Sequence, residues 1–246
     1  MSKSLVIIPT FNEIENISDI IGEVMKLPAH FHVLVVDDNS PDGTADKVKE
    51  LQGDQTERLH LLERQGKLGL GTAYITGFRY ALEKGYDYIF EMDADFSHNP
   101  KDLVTLEKAC EDGADMAIGS RYVTGVNVVN WPMGRVLMSY FASWYVRVIT
   151  GMPFRDATAG FKCYKREVLE TISLEKIRFI GYAFQIEMKF LSWKHGFQIA
   201  EVPIIFTDRT RGKSKMSAGI FKEAIFGVIQ MKIESWFKKY EPSTAG

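Results

Sequence analysis

Cysteine, long apolar runs and a net charge of either sign are all scarce in this sequence. Its two cysteines, Cys110 and Cys163, lie far apart and in no metal-binding spacing, which excludes a disulfide framework and indicates reduced thiols in a cytoplasmic protein. No apolar run approaches the ~18 residues that a membrane span needs, and the run before Pro9 is too short for a signal peptide. A formal net charge of -2 argues against a general nucleic-acid binder. We therefore expect a soluble or peripheral protein that does not bind nucleic acid.

The composition is that of an ordinary globular protein. The chain has 246 residues, 46% of them hydrophobic and 25% charged, which is enough for a sizeable core. Short apolar runs alternate with helix-forming segments through its first half. This alternation predicts an α/β fold with a mainly parallel, right-handed sheet flanked by helices. Strands are expected at 5–8, 32–36, 59–62, 88–92 and 116–120, and helices at 14–25, 44–51, 72–84 and 101–111.

The second half is less regular and contains two amphipathic segments. The stretch from Trp131 to Ile149 is apolar and rich in aromatic residues, but Arg135 and Arg147 interrupt it. Apolar residues interspersed with cations in this way are typical of helices that lie on a membrane surface, although both segments could also cover the sheet. A last helix is expected at 218–239, a strand at 160–164, a helix at 184–194 and an edge strand at 198–206.

Two carboxylates end the apolar run that starts at Tyr88. The run is bounded by turn residues, as a buried central strand is, and Asp93 and Asp95 follow it. Ligands of open α/β sheets bind beyond the carboxyl ends of the strands. Hard oxygen ligands at such a place suit a divalent cation that also holds a phosphate, such as Mg²⁺ or Mn²⁺. The alternative is a solvated strand end, because Asp-x-Asp is a common pattern.

Other polar residues follow the neighbouring strands. Glu13 comes after the first strand, Asp38 after the second, and Arg121 after the strand that ends at Ser120. Each has a separate explanation as a cap or turn residue, but together on one edge they indicate nucleotide binding. The basic segment from Asp208 to Lys215 has the alternating cations of a phosphate clamp, although a solvated loop is the usual alternative.

Three familiar motifs fail on inspection. Gly69-Leu70-Gly71 suggests a dinucleotide loop, but Tyr74 stands at the third glycine position. Lys67 is not preceded by the glycine spacing of a P-loop. The segment that starts at Asp38 opens like an EF-hand loop, yet Lys49 occupies the position of the bidentate glutamate.

Six blocks of the sequence stand in register with a known family. They are Pro9-Thr-Phe-Asn-Glu13, Val36-Asp-Asp-Asn-Ser-Pro-Asp-Gly-Thr44, Lys67-Leu-Gly-Leu-Gly-Thr-Ala-Tyr74, Asp93-Ala-Asp95, Gly119-Ser-Arg121, and Asp208-Arg209 with Ser214-Lys215. Over about residues 4 to 216 the chain resembles the polyprenyl (dolichyl) phosphate mannose synthases, inverting glycosyltransferases of the GT-A fold. We therefore expect a GT-A catalytic domain over 1–216, an amphipathic helix over 217–240 that packs on it or on a membrane, and a disordered tail over 241–246.

The resemblance implies GDP-mannose as donor, a polyprenyl phosphate in a membrane as acceptor, Mg²⁺ or Mn²⁺ as cofactor, and a β-linked product. It also implies a peripheral protein at the cytoplasmic face of a membrane and allows for a membrane-anchoring partner protein. The implied catalytic residues are Asp95, Arg121 and Arg209, the metal ligands Asp93 and Asp95, and the acceptor-phosphate ligands Arg135 and Ser214. The donor would be held by Pro9, Phe11, Glu13, Val36, Asp38, Asp93, Ala94, Asp95, Arg121, Arg209 and Lys215.

Two positions depart from the family pattern, and other reactions stay open. Phe11 stands where Tyr is often found, and Ser97 where many relatives carry Gln, which puts a third metal ligand in doubt. The rival enzymes transfer glucose from UDP-glucose to the same lipid, or mannose to a saccharide hydroxyl. For transfer to a hydroxyl, Asp156 would act as the base. Its alternative role is to cap the Ala157–Thr158 turn. A sugar nucleotidyltransferase would need a basic glycine-rich loop after the first strand, and a scaffold without turnover would not need the intact acidic and basic positions.

Overall fold

The computed structural model describes residues 2–53, 57–209, 211 and 218–240. Strands and helices alternate through the first half, as the apolar periodicity predicts. The strands are β1 (Ser4–Thr10), β2 (Phe31–Asp37), β3 (Leu59–Glu63), β4 (Tyr88–Glu91), β5 (Met116–Ser120), β6 (Val128–Val129), β7 (Lys162–Lys165), β8 (Ile199–Pro203) and β9 (Phe206–Thr207). The helices are α1 (Ile17–Met25), α2 (Thr44–Gln52), α3 (Leu70–Lys84), α4 (Asp102–Glu111), α5 (Met133–Thr150), α6 (Arg166–Thr171), α7 (Ala183–Lys194) and α8 (Ala218–Ser235).

A seven-stranded sheet with the order β3-β2-β1-β4-β7-β5-β8 forms the centre of the protein. All its pairings are parallel except those of β7, which runs antiparallel between β4 and β5. The prediction of a mainly parallel sheet is therefore confirmed. Strand β7 enters from the edge where β4 and β5 end, because Lys162 pairs with Glu91 and with Ile118. Strands β6 and β9 form a separate parallel pair.

The sheet is covered on both faces. Alternate residues of β1 serve the two layers: Leu5 and Ile7 belong to the core shared with α3, α5, α6, α7 and α8, whereas Val6 and Ile8 belong to the core shared with α1, α2 and α4. A strand that is buried on both faces has no polar alternation, and this explains the continuous apolar runs in the sequence.

Several predicted boundaries differ from the structure, and the edge strand expected at 198–206 is divided into β8 and β9. Two of the differences have a clear physical cause. Strand β1 does not stop before Pro9 but continues to Thr10, paired with β2. On its other side, β4 pairs with β1 only as far as Ile7, so the missing N–H of Pro9 breaks no hydrogen bond between strands. Helix α1 begins at Ile17 and not at 14, because a turn closed by hydrogen bonds to the carbonyl of Glu13 precedes it.

Helices α5 and α8 pack against each other on one side of the sheet. The hydroxyl of Tyr145 donates to the carbonyl of Ile225 at 2.9 Å, and Nζ of Lys232 donates to the carbonyl of Thr150 at 3.1 Å. Helix α8 also packs against α7. Within the described residues, no helix combines the length and the apolar character that crossing a membrane requires. The expected disordered tail at 241–246 lies outside the described residues.

Candidate active site

The polar residues that follow four strands come together along one edge of the sheet. Strands β1, β2 and β4 are parallel and end at this edge, and β5 ends there too because both β4 and β5 are antiparallel to β7. Glu13, Asp38, Asp95 and Arg121 follow these strand ends and are all buried. The fold therefore brings these side chains to one edge of the sheet, as the sequence predicts.

The two carboxylates after β4 are in different environments. Oδ1 of Asp95 accepts a hydrogen bond from the backbone N–H of Ser97 at 3.0 Å, and Oδ2 pairs with Nη2 of Arg209 at 2.7 Å. Although burial opposes ionisation, the hydrogen bonding by Ser97 and the charge of Arg209 hold the pKa of Asp95 below its usual value. For Asp93, burial and the charge of Asp95 raise the pKa to about 7. Asp95 therefore favours its ionised form, whereas Asp93 is held near the midpoint of its titration at neutral pH, and added positive charge would favour its ionised form.

The chemistry of this pair fits a divalent cation. Carboxylates are hard oxygen ligands, and a positive charge beside Asp93 would remove the repulsion that raises its pKa. Among the described residues, no group of three or more His, Cys, Asp or Glu side chains is placed to hold a metal ion. A cation bound by Asp93 and Asp95 would therefore complete its shell with phosphate oxygens or water, as Mg²⁺ commonly does.

The backbone after Asp95 adopts a rarely populated conformation. Phe96 has a φ of 59°, in the left-handed region that bulky residues seldom occupy. This bend returns the N–H of Ser97 to the Asp95 carboxylate. The hydroxyl of Ser97 and Nδ1 of His98 are buried and have no hydrogen-bond partner within the described part of the chain. Ser97 thus orients Asp95 through its backbone N–H.

The loops after β1 and β2 are joined by side-chain hydrogen bonds to backbone. Oγ of Ser40 accepts from the N–H of Asn12 at 3.0 Å, Oδ2 of Asp42 from that of Ile14 at 3.1 Å, and Oγ1 of Thr44 from that of Glu13 at 3.0 Å. The segment that opens like an EF-hand loop therefore has a structural role, which is to hold the loop that carries Phe11 and Glu13. Sequence reasoning identified the segment as a turn but not its partner.

Asp38 is paired with a residue that the sequence analysis did not single out. Nε of Arg64 donates to Oδ1 of Asp38 at 2.6 Å, and Nη1 of Arg64 donates to Oγ1 of Thr72 at 2.7 Å. Both members of the ion pair are buried. Burial raises the pKa of Asp38 even though Arg64 acts in the opposite direction. One sequence feature could have identified Arg64 as a site residue: it stands directly after β3, at the start of the basic glycine-rich turn.

The glycine-rich turn covers the loop after β1. Nζ of Lys67 lies 5.1 Å from the ring centroid of Phe11, a cation–π distance. From α3, the fully buried Tyr74 has a hydroxyl with no hydrogen-bond partner among the described residues, and burial followed by the charge of Asp93 raises its pKa well above the usual value. The remaining predicted donor residues, Pro9, Val36 and Ala94, lie in β1, in β2 and between the two carboxylates after β4.

Arg121 is held from two sides. Its Nε and Nη2 each donate to an oxygen of Asp156 at 2.7 Å, and Nη2 also donates to Oγ1 of Thr158 at 2.9 Å. The guanidinium carbon lies 5.2–5.7 Å from the ring centroids of Tyr122, Trp131 and Phe206. Asp156 is therefore the buried counter-ion of Arg121. The alternative in which it is a base for a hydroxyl acceptor does not fit, because both of its oxygens are engaged.

Arg135 stands at the start of α5, next to Arg121. Its Nη1 pairs with Oδ1 of Asp208 at 2.7 Å, and its guanidinium lies over Trp131, 4.2 Å from the ring centroid. Trp131 Nε1, Tyr122 Oη and Ser139 Oγ are buried without a hydrogen-bond partner among the described residues. Buried donors of this kind normally have partners, so this area suits an oxygen-rich ligand. Sequence reasoning chose Arg135 and missed Trp131, Tyr122 and Ser139.

The basic segment after β9 is described only in part. Arg209 reaches Asp95, and Nη1 of Arg211 pairs with Oδ2 of Asp19 in α1 at 2.8 Å. Ser214 and Lys215, predicted for the acceptor phosphate and the donor, lie outside the described residues. The described part crosses the site from β9 to α1.

Comparison with known proteins agrees with this architecture. The model of glycosyl transferase family 2 matches residues 5–173. Glucosyl-3-phosphoglycerate synthase from Mycobacterium tuberculosis, solved with Mn²⁺, UDP-glucose and phosphoglyceric acid, superposes with a TM-score of 0.68 at 16% identity, covering 95% of this chain and 80% of that one. The GT-A fold is thereby confirmed.

Two curated relatives are much closer in sequence. Polyprenol monophosphomannose synthase from Mycolicibacterium smegmatis is 47% identical over 231 residues, which cover 94% of this chain and 87% of the relative. Undecaprenyl-phosphate mannosyltransferase from Micrococcus luteus is 46% identical over 224 residues, covering 91% of each. Together with the family match and the GT-A sheet, these relatives show that the chain is a glycosyltransferase of family 2 and belongs to the polyprenyl-phosphate mannose synthases.

Proposed function

We propose that this protein transfers mannose from GDP-mannose to a polyprenyl phosphate, with inversion, to give a β-linked mannosyl phospholipid. The observation that carries the proposal is the contact between Arg209 and Asp95 beside Asp93. It puts an arginine, two carboxylates and the segment after β9 at one strand end, which is what binding of a metal–diphosphate requires. The two mannosyltransferase relatives support the sugar and the lipid acceptor.

The donor nucleoside would lie over the ends of β1 and β2. Phe11 offers a ring face to the base, and Glu13 and Asp38 offer carboxylate oxygens to its nitrogens or to ribose hydroxyls. Pro9 and Val36 form apolar walls from the two neighbouring strands, which pair at these residues. Asp93 and the backbone of Ala94 would reach the ribose and the diphosphate. The raised pKa of Asp38 makes its pairing with Arg64 important, because only in the ionised form do both oxygens act purely as hydrogen-bond acceptors.

Asp93 and Asp95 would hold a Mg²⁺ or Mn²⁺ ion together with the diphosphate. When bound, such an ion neutralises the negative charge that develops on the leaving nucleoside diphosphate. Arg209 contributes positive charge at the same place, and Lys215 is expected to add to it. The solved structure of a GT-A neighbour contains Mn²⁺, which agrees with the metal class.

The acceptor phosphate would bind between Arg121 and Arg135. Arg135 is partly exposed and its partner Asp208 is too, so an incoming phosphate can compete for this guanidinium. The unpartnered Nε1 of Trp131 belongs to the ring that lies beside both arginines. A phosphate here is already anionic near neutral pH, so it can attack without a general base. Catalysis then consists of aligning the phosphate opposite the leaving group and stabilising the charge.

We also propose that the protein works as a peripheral protein at the cytoplasmic face of a membrane. Helix α5 exposes large apolar side chains, including Phe141 at 58% and Trp144 at 54% of their surface. Phe226 of α8 and Phe237 just after it are exposed as well. Arg135 and Arg147 stand on α5 for the anionic headgroups. The proposed acceptor site adjoins this apolar surface, as a reaction on a lipid phosphate requires. A membrane-anchoring partner could use the same face.

Purified protein with Mg²⁺ and polyprenyl phosphate, given GDP-mannose, GDP-glucose and UDP-glucose in separate reactions, tests the proposal. We expect lipid-linked mannose from GDP-mannose alone, loss of product when EDTA is added, and recovery with excess Mg²⁺ or Mn²⁺. Product from UDP-glucose alone would assign the rival glucosyl transfer. No sugar on the lipid from any donor would refute the proposal.

Asp95→Asn tests the role of the carboxylate pair. It should lower turnover by about 100-fold, because loss of a ligand or of the diphosphate charge partner affects the developing charge directly. Asp102→Asn, at the start of α4, is the matched control and should keep full activity with the same thermal stability. Undiminished turnover in Asp95→Asn would contradict the metal role.

A further inference from the structure

The guanidinium of Arg121 is buried and most of its donors are already used by protein. Asp156 takes Nε and one Nη2 hydrogen, Thr158 takes Nη2 as well, and the backbone N–H of Arg121 also donates to Oδ2 of Asp156 at 2.9 Å. Nη1 makes no hydrogen bond to any described residue. Both the backbone and the side chain of Arg121 are thus fixed by one carboxylate.

We propose that Asp156 is a positioning residue that aims the free Nη1 edge of Arg121 at the acceptor phosphate, and that Glu201 in turn fixes Asp156. This inference rests on the proposed function, in which Arg121 contacts phosphate. Neither Asp156 nor Glu201 touches substrate, and both act through Arg121.

Glu201 supports Asp156 from the edge strand β8. Its Oε1 accepts from the backbone N–H of Asp156 at 2.9 Å and from Oγ of Ser120 at 2.8 Å, and its Oε2 accepts from the N–H of Arg155 at 2.7 Å. One carboxylate therefore joins the end of β5, immediately before Arg121, to the turn that carries Asp156. The two glutamate oxygens determine where the turn lies relative to the strand end.

Other buried side chains fix the same turn. Nζ of the fully buried Lys189 donates to the carbonyl of Ala159 at 2.6 Å, and Oγ of Ser143 in α5 lies 3.1 Å from Oγ1 of Thr158. The turn is thus attached to α7, to α5 and to β8. Groups held in this way keep the arginine, and with it the acceptor phosphate, aligned for attack on the sugar carbon. A misplacement of about 1 Å in such a site costs about 100-fold in rate.

The arrangement also determines what Arg121 can offer. Asp156 is fully buried and balances the charge of the guanidinium, so Arg121 contributes a directed hydrogen-bond donor and little net charge. Net positive charge for the phosphate then comes mainly from Arg135, whose ion pair with Asp208 is partly exposed. A lysine could not replace Arg121, because it lacks the planar fork that binds Asp156 and the phosphate at the same time.

The test compares Asp156→Asn and Glu201→Gln, alone and combined with Arg121→Lys, by steady-state kinetics and thermal unfolding. We expect Asp156→Asn to lower kcat by about 100-fold and Glu201→Gln by about tenfold, with donor KM changed less than threefold. In the Arg121→Lys background, Asp156→Asn should cost less than threefold more, since its effect passes through Arg121. The pH profile of Glu201→Gln should keep the shape of the parent profile.

Glu107→Gln is the matched control, because Glu107 is also a buried carboxylate but lies at the opposite edge of the sheet, bonded to Ser4 and His30. It should lower the unfolding temperature and leave kcat unchanged. If Asp156→Asn is too unstable to assay, Glu201→Gln and its combination with Arg121→Lys decide the question. Equal losses in the two backgrounds, or full turnover in Glu201→Gln, would overturn the proposal. The comparison uses whichever donor the parent enzyme turns over, so a donor other than GDP-mannose would refute only the donor assignment.

Discussion

At the scale of single residues, two neighbouring carboxylates have different tasks. Asp37 is fully buried, and its oxygens accept from Thr10 Oγ1 at 2.7 Å and from the N–H of Ser40 at 2.8 Å. Asp38 faces the site and is paired with Arg64. Successive residues of a strand point to opposite sides, so only one of the two can face a ligand. Asp37 therefore holds the turn, and Asp38 is the one that can meet a nucleotide.

Arg64→Met tests the importance of this pairing. Burial already raises the pKa of Asp38, and removal of Arg64 would raise it further, so a smaller fraction of Asp38 would be ionised at neutral pH. In the proposed function Asp38 binds the donor in ground state and transition state alike, so we expect the donor KM to rise about tenfold with kcat almost unchanged. Initial rates at varied donor concentration measure both parameters.

Arg58→Met is a suitable control for this variant. Arg58 is also partly buried and bonded to protein, at the carbonyl of Phe31, but it lies at the opposite end of β2. It should change stability and leave the donor KM as it is. A lower kcat with unchanged KM in Arg64→Met would mean that Arg64 acts in the chemical step and not on binding.

At the scale of elements, α5 has two faces with different surroundings. Ser143, Val146 and Thr150 point into the core, whereas Phe141, Trp144 and other large apolar residues stay exposed. An exposed apolar surface of this kind usually marks an interaction site. Exposed apolar side chains are also found on the neighbouring α8, at Phe226, and just after it, at Phe237. The alternative in which both helices merely cover the sheet accounts for their inner faces only.

Phe141→Glu with Trp144→Glu tests the outer face. The double variant should lose binding to liposomes that contain anionic lipid and polyprenyl phosphate, because two charges would have to enter the membrane interface. Its thermal stability should be unchanged, since both side chains are exposed. Co-sedimentation with the liposomes measures binding. We expect binding to fall more than tenfold, because two aromatic groups no longer bury apolar surface in the membrane.

Val104→Glu provides the control on the other side of the sheet. Val104 is an exposed apolar residue of α4, whose buried side packs in the core shared with α1 and α2. Liposome binding should not change in this variant. Equal binding by the parent and the double α5 variant would contradict a membrane role for this face.

At the scale of the whole molecule, a cluster of histidines makes the fold sensitive to acid. His32 in β2 and His60 in β3 both contact the hydroxyl of Tyr86, at 3.0 and 3.2 Å. Burial, followed by the charge of His60, lowers the pKa of His32 to about 4, and burial lowers that of His60 as well. Both rings are therefore neutral in the folded protein at pH values where the unfolded chain would protonate them.

The sign of the pH effect follows from this difference. Between pH 6.5, the unfolded value, and about 4 the unfolded chain binds a proton at His32 that the folded protein does not, so stability falls as the pH falls. With allowance for solvent screening we expect a loss of about 1–2 kcal/mol from His32. Denaturant unfolding at pH 7.5, 5.5 and 4.5 measures it. In His32→Gln the decrease should be smaller by this amount, and an identical decrease would exclude His32 as its source.

Much of the fold could be predicted from local pattern. The strands at β2, β3 and β5 and the helices α2, α3 and α4 appear within two residues of their expected positions. The differences occur where a neighbouring strand determines the structure. Pro9 stays in β1 because β4 is shorter, and β7 runs antiparallel because it enters the sheet from the edge where β4 ends. Strand order and direction depend on contacts between distant segments, which local periodicity does not contain.

The sequence by itself determined the family, the α/β class and the edge at which the site lies, because apolar periodicity and the six motif blocks are local and stay in register. It also identified Asp93 and Asp95 as candidate ligands. Only the tertiary structure decided which partner each charge has: Arg64 for Asp38, Arg209 for Asp95 and Asp156 for Arg121. These pairs join residues that are distant in the chain, and burial makes each pairing necessary, since an unpaired charge is costly inside a protein.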